Sequence, residues 1–141
     1  MTIQTVAHLN FRGNARTVLA FYHAVFGGQQ TCVTWGQVYG TTDAVQSELI
    51  AWGQVQSDDG FHVMAYDVPP ERAWSAGDTP FFVAVTGNDA TMLTRYWEGL
   101  TVGASIVQPL APAGFSPLYG MLKDRFGITW VLSLSTSQAV A

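Results

Sequence analysis

The chain has 141 residues, 48% hydrophobic and 11% charged, with ten acidic residues against six Lys and Arg for a formal net charge of −4. That length is one domain's worth with a sizeable core, and so apolar a composition leaves little room for disorder. Six basic residues cannot form the stripe that neutralises phosphates, which excludes a nucleic-acid partner. No apolar run reaches the ~18 residues of a membrane span.

Met1–Thr5 lacks a basic region followed by an apolar one, so the expected location is the cytoplasm. Val6 to Phe11 alternates as a strand, with Ala7, Leu9 and Phe11 on one face and Val6, His8 and Asn10 on the other. Asn14 is placed to cap a helix whose buried stripe is Ala15, Val18, Leu19, Tyr22, Val25 and Phe26, and Gly27-Gly28 ends it. Thr31 to Tyr39 reads as a second strand and Gly40 to Gln46 as a polar loop. Glu48–Gln56 and Phe61–Tyr66 form a hairpin about Ser57-Asp58-Asp59-Gly60. Residues 68–78, bearing Pro, Gly and Asp, read as a linker.

Beyond the linker the order repeats. Phe81 to Val85 is a strand, and Asn88 caps a helix carrying Met92, Leu93, Tyr96, Trp97 and Leu100. Ala104 to Gln108 is a strand, and Pro109 to Phe115 a loop. Tyr119–Lys123 and Ile128–Leu134 form a hairpin across Asp124-Arg125-Phe126-Gly127, and Ser135–Ala141 is a frayed tail. Sliding the sequence by 74 brings Gly13, Asn14, Thr17, Leu19 and Tyr22 onto Gly87, Asn88, Thr91, Leu93 and Tyr96. The expectation is an α+β single domain, 1–141, of two βαβββ pseudo-repeats (about 5–67 and 79–135). Two such halves tend to build one cavity, which points to a small-molecule ligand.

The ordered series His8-Leu9-Asn10-Phe11-Arg12-Gly13-Asn14-Ala15, Ala20-Phe21-Tyr22, Val25-Phe26-Gly27-Gly28, Ser57-Asp58-Asp59-Gly60, Tyr96-Trp97, Gly120-Met121-Leu122, Asp124-Arg125-Phe126-Gly127 and Trp130 resembles the vicinal-oxygen-chelate superfamily. That superfamily includes glyoxalase I, bleomycin-resistance proteins and extradiol dioxygenases, and the chain is most similar to its PhnB-like branch. The resemblance covers residues 5–135. It implies curled half-barrel mixed sheets with helices outside and a homodimer. The ubiquinone-methyltransferase label common in that branch is rejected, because no Gly-rich turn joins a strand to a helix N-terminus in the manner of a nucleotide site.

The resemblance also implies a divalent metal held by His, Gln and Glu at four strand positions. In this sequence those positions fall on Val6, Pro80, Met64 and Val131, none a ligand. A shift of two residues offers His8, Phe82, His62 or Tyr66, and Thr129 or Ser133, with two histidines at most. The expected cofactor is therefore none, with a divalent metal disfavoured.

His8 lies off the core face, either as a pocket donor or base or as a group bonded to a neighbouring strand. His62 shares a face with Met64 and Tyr66 and can meet His8 if their strands pair. The ligand-pocket candidates are His8, Asn10, His62, Met64, Tyr66, Phe82 and Thr129; no catalytic or metal residue is assigned. His23 reads as solvated, Glu48 as an edge charge, and lone Cys32 as a bystander thiol. Trp97 and Trp130 fit packed positions, whereas Trp35, Trp52 and Trp74 suit either a pocket wall or a dimer interface. The function this supports is metal-free binding of a hydrophobic or cationic compound. The alternative is a metal-dependent lyase, isomerase or dioxygenase using His8.

Overall fold

In the computed structural model, which describes residues 3–135, the alternating run at the start becomes strand β1 (Ala7–Phe11). The first half continues with α1 (Ala15–Phe26), β2 (Gln29–Thr34), α2 (Trp35–Tyr39), a 3-10 turn (Gln46–Glu48), β3 (Ile50–Gln56) and β4 (His62–Asp67). The second half holds β5 (Val83–Gly87), α3 (Ala90–Leu100), β6 (Ser105–Ala113), β7 (Ser116–Lys123) and β8 (Thr129–Leu134). Both halves are βαβββ, and the sheets share one strand order, β1-β4-β3-β2 and β5-β8-β7-β6. The first and last strands of each half run parallel, and the other pairs are antiparallel. The chain divides into two compact units after Ala76, inside the segment read as a linker. Of the tail expected over Ser135–Ala141, Ser135 is instead held, its N and Oγ donating to the Gly87 carbonyl at 2.7 and 3.1 Å, and 136–141 lie outside the described residues.

In the first unit α1 buries Ala15, Val18, Leu19, Tyr22 and Phe26 on the predicted stripe, with Val25 half-buried. The sheet face it covers supplies Leu9, Phe11, Val55, Val63 and Ala65. Each fully buried side chain of this size contributes about 1.5–3 kcal/mol. The helix and sheet approach closely because Gly53 has no side chain: a Cβ there would lie 2.4 Å from Leu19 Cδ1 and 3.2 Å from the Thr31 carbonyl. The second unit repeats the device. A Cβ on Gly120 of β7 would lie 2.8 Å from the Trp97 ring of α3 and 3.0 Å from the Leu110 backbone.

The corner between β1 and α1 is held differently from the sequence expectation. Asn14 occupies the N-cap but its side chain makes no capping bond. The orphan amides are taken by Asp67, 1% exposed at the end of β4. Its Oδ1 accepts from Gly13 N at 2.7 Å and Ala15 N at 3.1 Å, while Oδ2 accepts from Ile50 N at 2.9 Å. Burying a carboxylate costs several kcal/mol unless such donors surround it, so these three bonds stand or fall together. Among the described residues no buried side-chain nitrogen or oxygen lacks a partner.

Four further expectations are corrected. Residues 35–39 are helical because Thr34 and Gln37 form a reciprocal capping box and Gly40 closes the turn at φ 66. In the second unit Asp89, not Asn88, is the N-cap, its carboxylate accepting from Met92 N at 3.1 Å. The strand before it starts at Val83, not Phe81. The Pro109–Phe115 loop is absent as such, since β6 runs through Pro109 and Pro112 to Ala113. It lies at a sheet edge, where a missing N–H costs no ladder bond, and its register slips around both prolines. Both hairpin turns are as expected, with Ser57 N bonded to Phe61 O at 2.9 Å and Asp124 N to Ile128 O at 2.8 Å.

Asp67→Ala is expected to lower unfolding stability by about 3–5 kcal/mol, since it strands two buried amides and one part-buried one, whereas Asn14→Ala should change it by less than about 0.5 kcal/mol. Urea denaturation of the two variants measures both. Gly53→Ala and Gly120→Ala should each cost about 1–3 kcal/mol by overpacking, read in the same experiment.

Candidate functional site

The face of the first sheet opposite α1 carries five of the seven predicted pocket residues. Strand register places His8, Met64, Gln54 and Thr31 in one row across β1, β4, β3 and β2. Asn10 and Tyr66 stand opposite one another on one side of this row, and His62, Gln56 and Gln29 form the row on the other. Side chains two apart on a strand share a face, so β1 and β4 deliver these groups together.

His8 is exposed and its Nδ1 lies 2.9 Å from Asn10 Oδ1. With that oxygen as acceptor, the neutral ring carries its proton on Nδ1 and leaves Nε2 as a lone-pair base. Tyr66 packs edge-on against the same imidazole, ring centres 5.2 Å apart. His62 is engaged elsewhere, its Nε2 2.7 Å from Gln54 Oε1. The two histidines therefore lie on one face without sharing a hydrogen bond, His8 standing opposite Met64 rather than His62. A polar hollow of about 400 Å³ lies beside Gln29, Gln54 and Gln56.

Beyond Tyr66 the face adjoins a pocket of about 450 Å³ lined by Trp35, Tyr39, Thr41, Gln46, Pro69, Pro70, Glu71 and Arg72. Of these only Trp35 was offered by the sequence, as a pocket wall or an interface residue; the readings of 35–39 as a strand, 40–46 as a loop and 68–78 as a linker missed the others. The capping box at Thr34-x-x-Gln37 was the signal that could have placed Trp35 and Tyr39 together on a helix. Trp35 is fixed by its indole N–H, which donates to the Asp67 carbonyl at 3.3 Å, and its ring centre is 6.3 Å from that of Tyr66. Arg72 Nη1 donates to Tyr66 Oη at 3.1 Å. Trp74 donates its indole N–H to the Asn10 carbonyl at 3.1 Å, with Arg12 above its ring.

The equivalent face of the second unit is chemically different. Its register aligns Ala84, Val131, Met121 and Gln108, and then Thr86 with Ser133, whose hydroxyls are 3.1 Å apart. Thr129 is buried at the start of β8, and Phe82 is exposed just before β5. Trp97 and Trp130 are buried as expected, the latter with its indole N–H 2.8 Å from Asp124 Oδ2. His23 is not simply solvated: its Nε2 meets the Gly28 carbonyl at 3.0 Å. Glu48 lies in the 3-10 turn before β3 rather than on the strand.

These registers test the metal set that the sequence resemblance implies. The first-strand residue opposite Met64 is His8, and the one opposite Val131 is Ala84, so neither Pro80 nor Phe82 stands at that position. The alignment by 74 therefore slips by two residues on this strand, where the register matches His8 with Ala84. His8, Met64, Ala84 and Val131 provide one donor where three or four are needed, and they do not fit a catalytic divalent ion. Among the described residues no three His, Cys, Asp or Glu side chains gather into a ligand group. At the start of α1 the Gly13 and Ala15 amides are already held by Asp67. No helix among the described residues is long and apolar enough to cross a membrane.

His8→Ala is expected to shift unfolding stability by no more than about 0.5 kcal/mol, as for an exposed group outside the core. Loss of the folded state on thermal scanning would make His8 structural instead.

No protein-family model and no curated protein matches the chain. Solved structures do. Protein PA1353 from Pseudomonas aeruginosa is 25% identical with a TM-score of 0.83, over 95% of this chain and 98% of that one. A putative 3-demethylubiquinone-9 3-methyltransferase, PhnB protein, from Bacillus cereus is 19% identical with a TM-score of 0.69, over 94% and 100%. A glyoxylase/bleomycin resistance protein/dioxygenase domain from Frankia sp. EAN1pec is 13% identical with a TM-score of 0.63, over 97% and 94%. With its two βαβββ units of matching strand order, the chain has the fold of the vicinal-oxygen-chelate superfamily, the fold it shares with the PhnB protein and the glyoxylase/bleomycin-resistance/dioxygenase domain.

Proposed function

We propose that this is a small-molecule-binding protein of the glyoxalase/bleomycin-resistance type, in the PhnB-like branch, working without a catalytic metal. One observation carries the reading. The face formed by β1, β4 and β3 keeps polar and aromatic side chains beside a pocket of about 450 Å³, while three of the four metal positions that the resemblance implies hold Met64, Ala84 and Val131 and only His8 offers a donor. A pocket of that size with aromatic walls and a few placed polar groups is the usual form of a ligand site. The cytoplasm remains the proposed location. A homodimer is supported by the edge strand β6, whose Ile106 and Val107 are exposed together with the nearby Phe115.

A second reading has one observation in its favour. His8 Nδ1 lies 2.9 Å from Asn10 Oδ1, and the tautomer with its proton on Nδ1 leaves Nε2 as a base, so general-base chemistry on a bound carbonyl compound is open to it.

The test is thermal unfolding of EDTA-stripped protein with Ni²⁺, Zn²⁺, Mn²⁺ and Fe²⁺, and then with a panel of aromatic, cationic and anionic compounds. Ligands of the native state raise Tm by mass action. The expected result is no saturable rise with any metal and a saturable rise with at least one organic compound. A metal-dependent rise abolished by His8→Ala would replace this reading with the metalloenzyme. Flat curves for the whole panel would remove small-molecule binding.

A further inference from the structure

We infer that the pocket beside Tyr66 recognises a planar aromatic monocarboxylate, its ring laid against Trp35 and Tyr39 and its carboxylate held by Arg72. The inference rests on the small-molecule reading above and narrows it to one ligand class and one set of residues.

Trp35 is held before any ligand arrives, and Tyr39, exposed, stands beside it on the same short helix. Their helix is closed at one end by the Thr34–Gln37 capping box and at the other by Gly40, and the Trp35 indole N–H is tied to the Asp67 carbonyl. The two rings lie 5.2 Å apart at 30°, giving a tilted aromatic wall. Such surfaces favour a flat, apolar ring over a flexible chain.

Arg72 is positioned twice. Its Nη1 donates to Tyr66 Oη, and its backbone carbonyl accepts from Arg12, which also reaches the Pro69 carbonyl at 3.2 Å. Among the described residues the Tyr66 bond is the Arg72 side chain's one hydrogen bond, which leaves most of a planar five-donor fork facing the pocket. A guanidinium anchored in this way suits bidentate contact with a carboxylate.

Local charge, rather than the net −4 of the chain, decides the sign of the ligand, because screening confines exposed charges to about 8–10 Å. Arg72 is the one guanidinium lining the pocket, with Arg12 bonded to its backbone, while Glu71 lines the pocket and Asp43 holds the Gln46 amide beside it, so the placed Arg72 fork sets the sign at the point of contact. Glu71 lines the same pocket and opposes a second negative charge, so a carboxylate is favoured over a phosphate monoester.

Isothermal titration with 2-naphthoate, 2-naphthamide and 2-naphthylmethylammonium tests the assignment. The carboxylate is expected to bind at least about tenfold tighter than the amide, as one charge-assisted pair implies. Arg72→Gln should abolish that preference and leave the amide's affinity unchanged. Tyr66→Phe, which removes only the anchor of Arg72, should reduce the preference in part, and Tyr39→Ala should weaken carboxylate and amide alike. Equal or tighter binding of the ammonium or amide overturns the inference, as does a preference that survives Arg72→Gln. Binding of none of the three also overturns it. A Tm rise with another compound would then leave the small-molecule reading in place, and no rise with any compound would remove both.

Discussion

The first unit depends on one buried carboxylate. Asp67 ends β4, yet its two oxygens hold the β1–α1 corner, the first turn of α1 and the first residue of β3. A helix start leaves amides that must be paired, and here the partner comes from across the sheet rather than from the helix's own cap. The arrangement therefore links the helix to the sheet by charge-assisted bonds as well as apolar contact. The Asp67 carbonyl extends the same anchor to Trp35, so the constraint that fixes the core also fixes a wall of the pocket.

The second unit solves the same topology with different contacts. Its buried aspartate, Asp124, 4% exposed, sits in the β7–β8 turn, where Oδ1 accepts from Phe126 N and Ile128 N and Oδ2 from the Trp130 indole. Its helix is capped locally by Asp89. What the units share is the strand order and the glycine in the penultimate strand that admits a helix side chain, Leu19 at Gly53 and Trp97 at Gly120. The apolar packing is thus common to the two units, while their polar contacts, even the buried ones of Asp67 and Asp124, are free to differ.

That freedom appears on the faces opposite the helices. The first unit presents imidazole, amide and phenol groups, and the second presents Ala84, Val131 and Met121 with a pair of hydroxyls. Imidazole, amide and phenol side chains are thus concentrated on the first unit's face. The short α2 helix and the segment after β4 add to it, and neither has a regular counterpart in the second half.

Much of the fold was legible from side-chain periodicity alone. The stripe from Ala15 to Phe26, the Leu9/Phe11 face and the glycine turns at Gly60 and Gly127 each encode a local choice that burial then reinforces, and the two halves could be matched because their helix stripes coincide at Leu19/Leu93 and Tyr22/Tyr96. The sequence also determined which side chains share the β1–β4 face, since alternation leaves a strand residue only two directions. Other features required the tertiary structure. Asn14 has the residue type of a cap, but Asp67, more than fifty residues away, takes the amides. Pro109 and Pro112 argue for a loop until β6 is found at a sheet edge, where their missing N–H groups are harmless. Whether His8 meets His62 depended on strand register, which a periodic pattern leaves open by two residues. The pocket of Trp35, Tyr39 and Arg72 joins a capped turn to a segment without periodicity, and such a juxtaposition is set by long-range hydrogen bonds that no local pattern encodes.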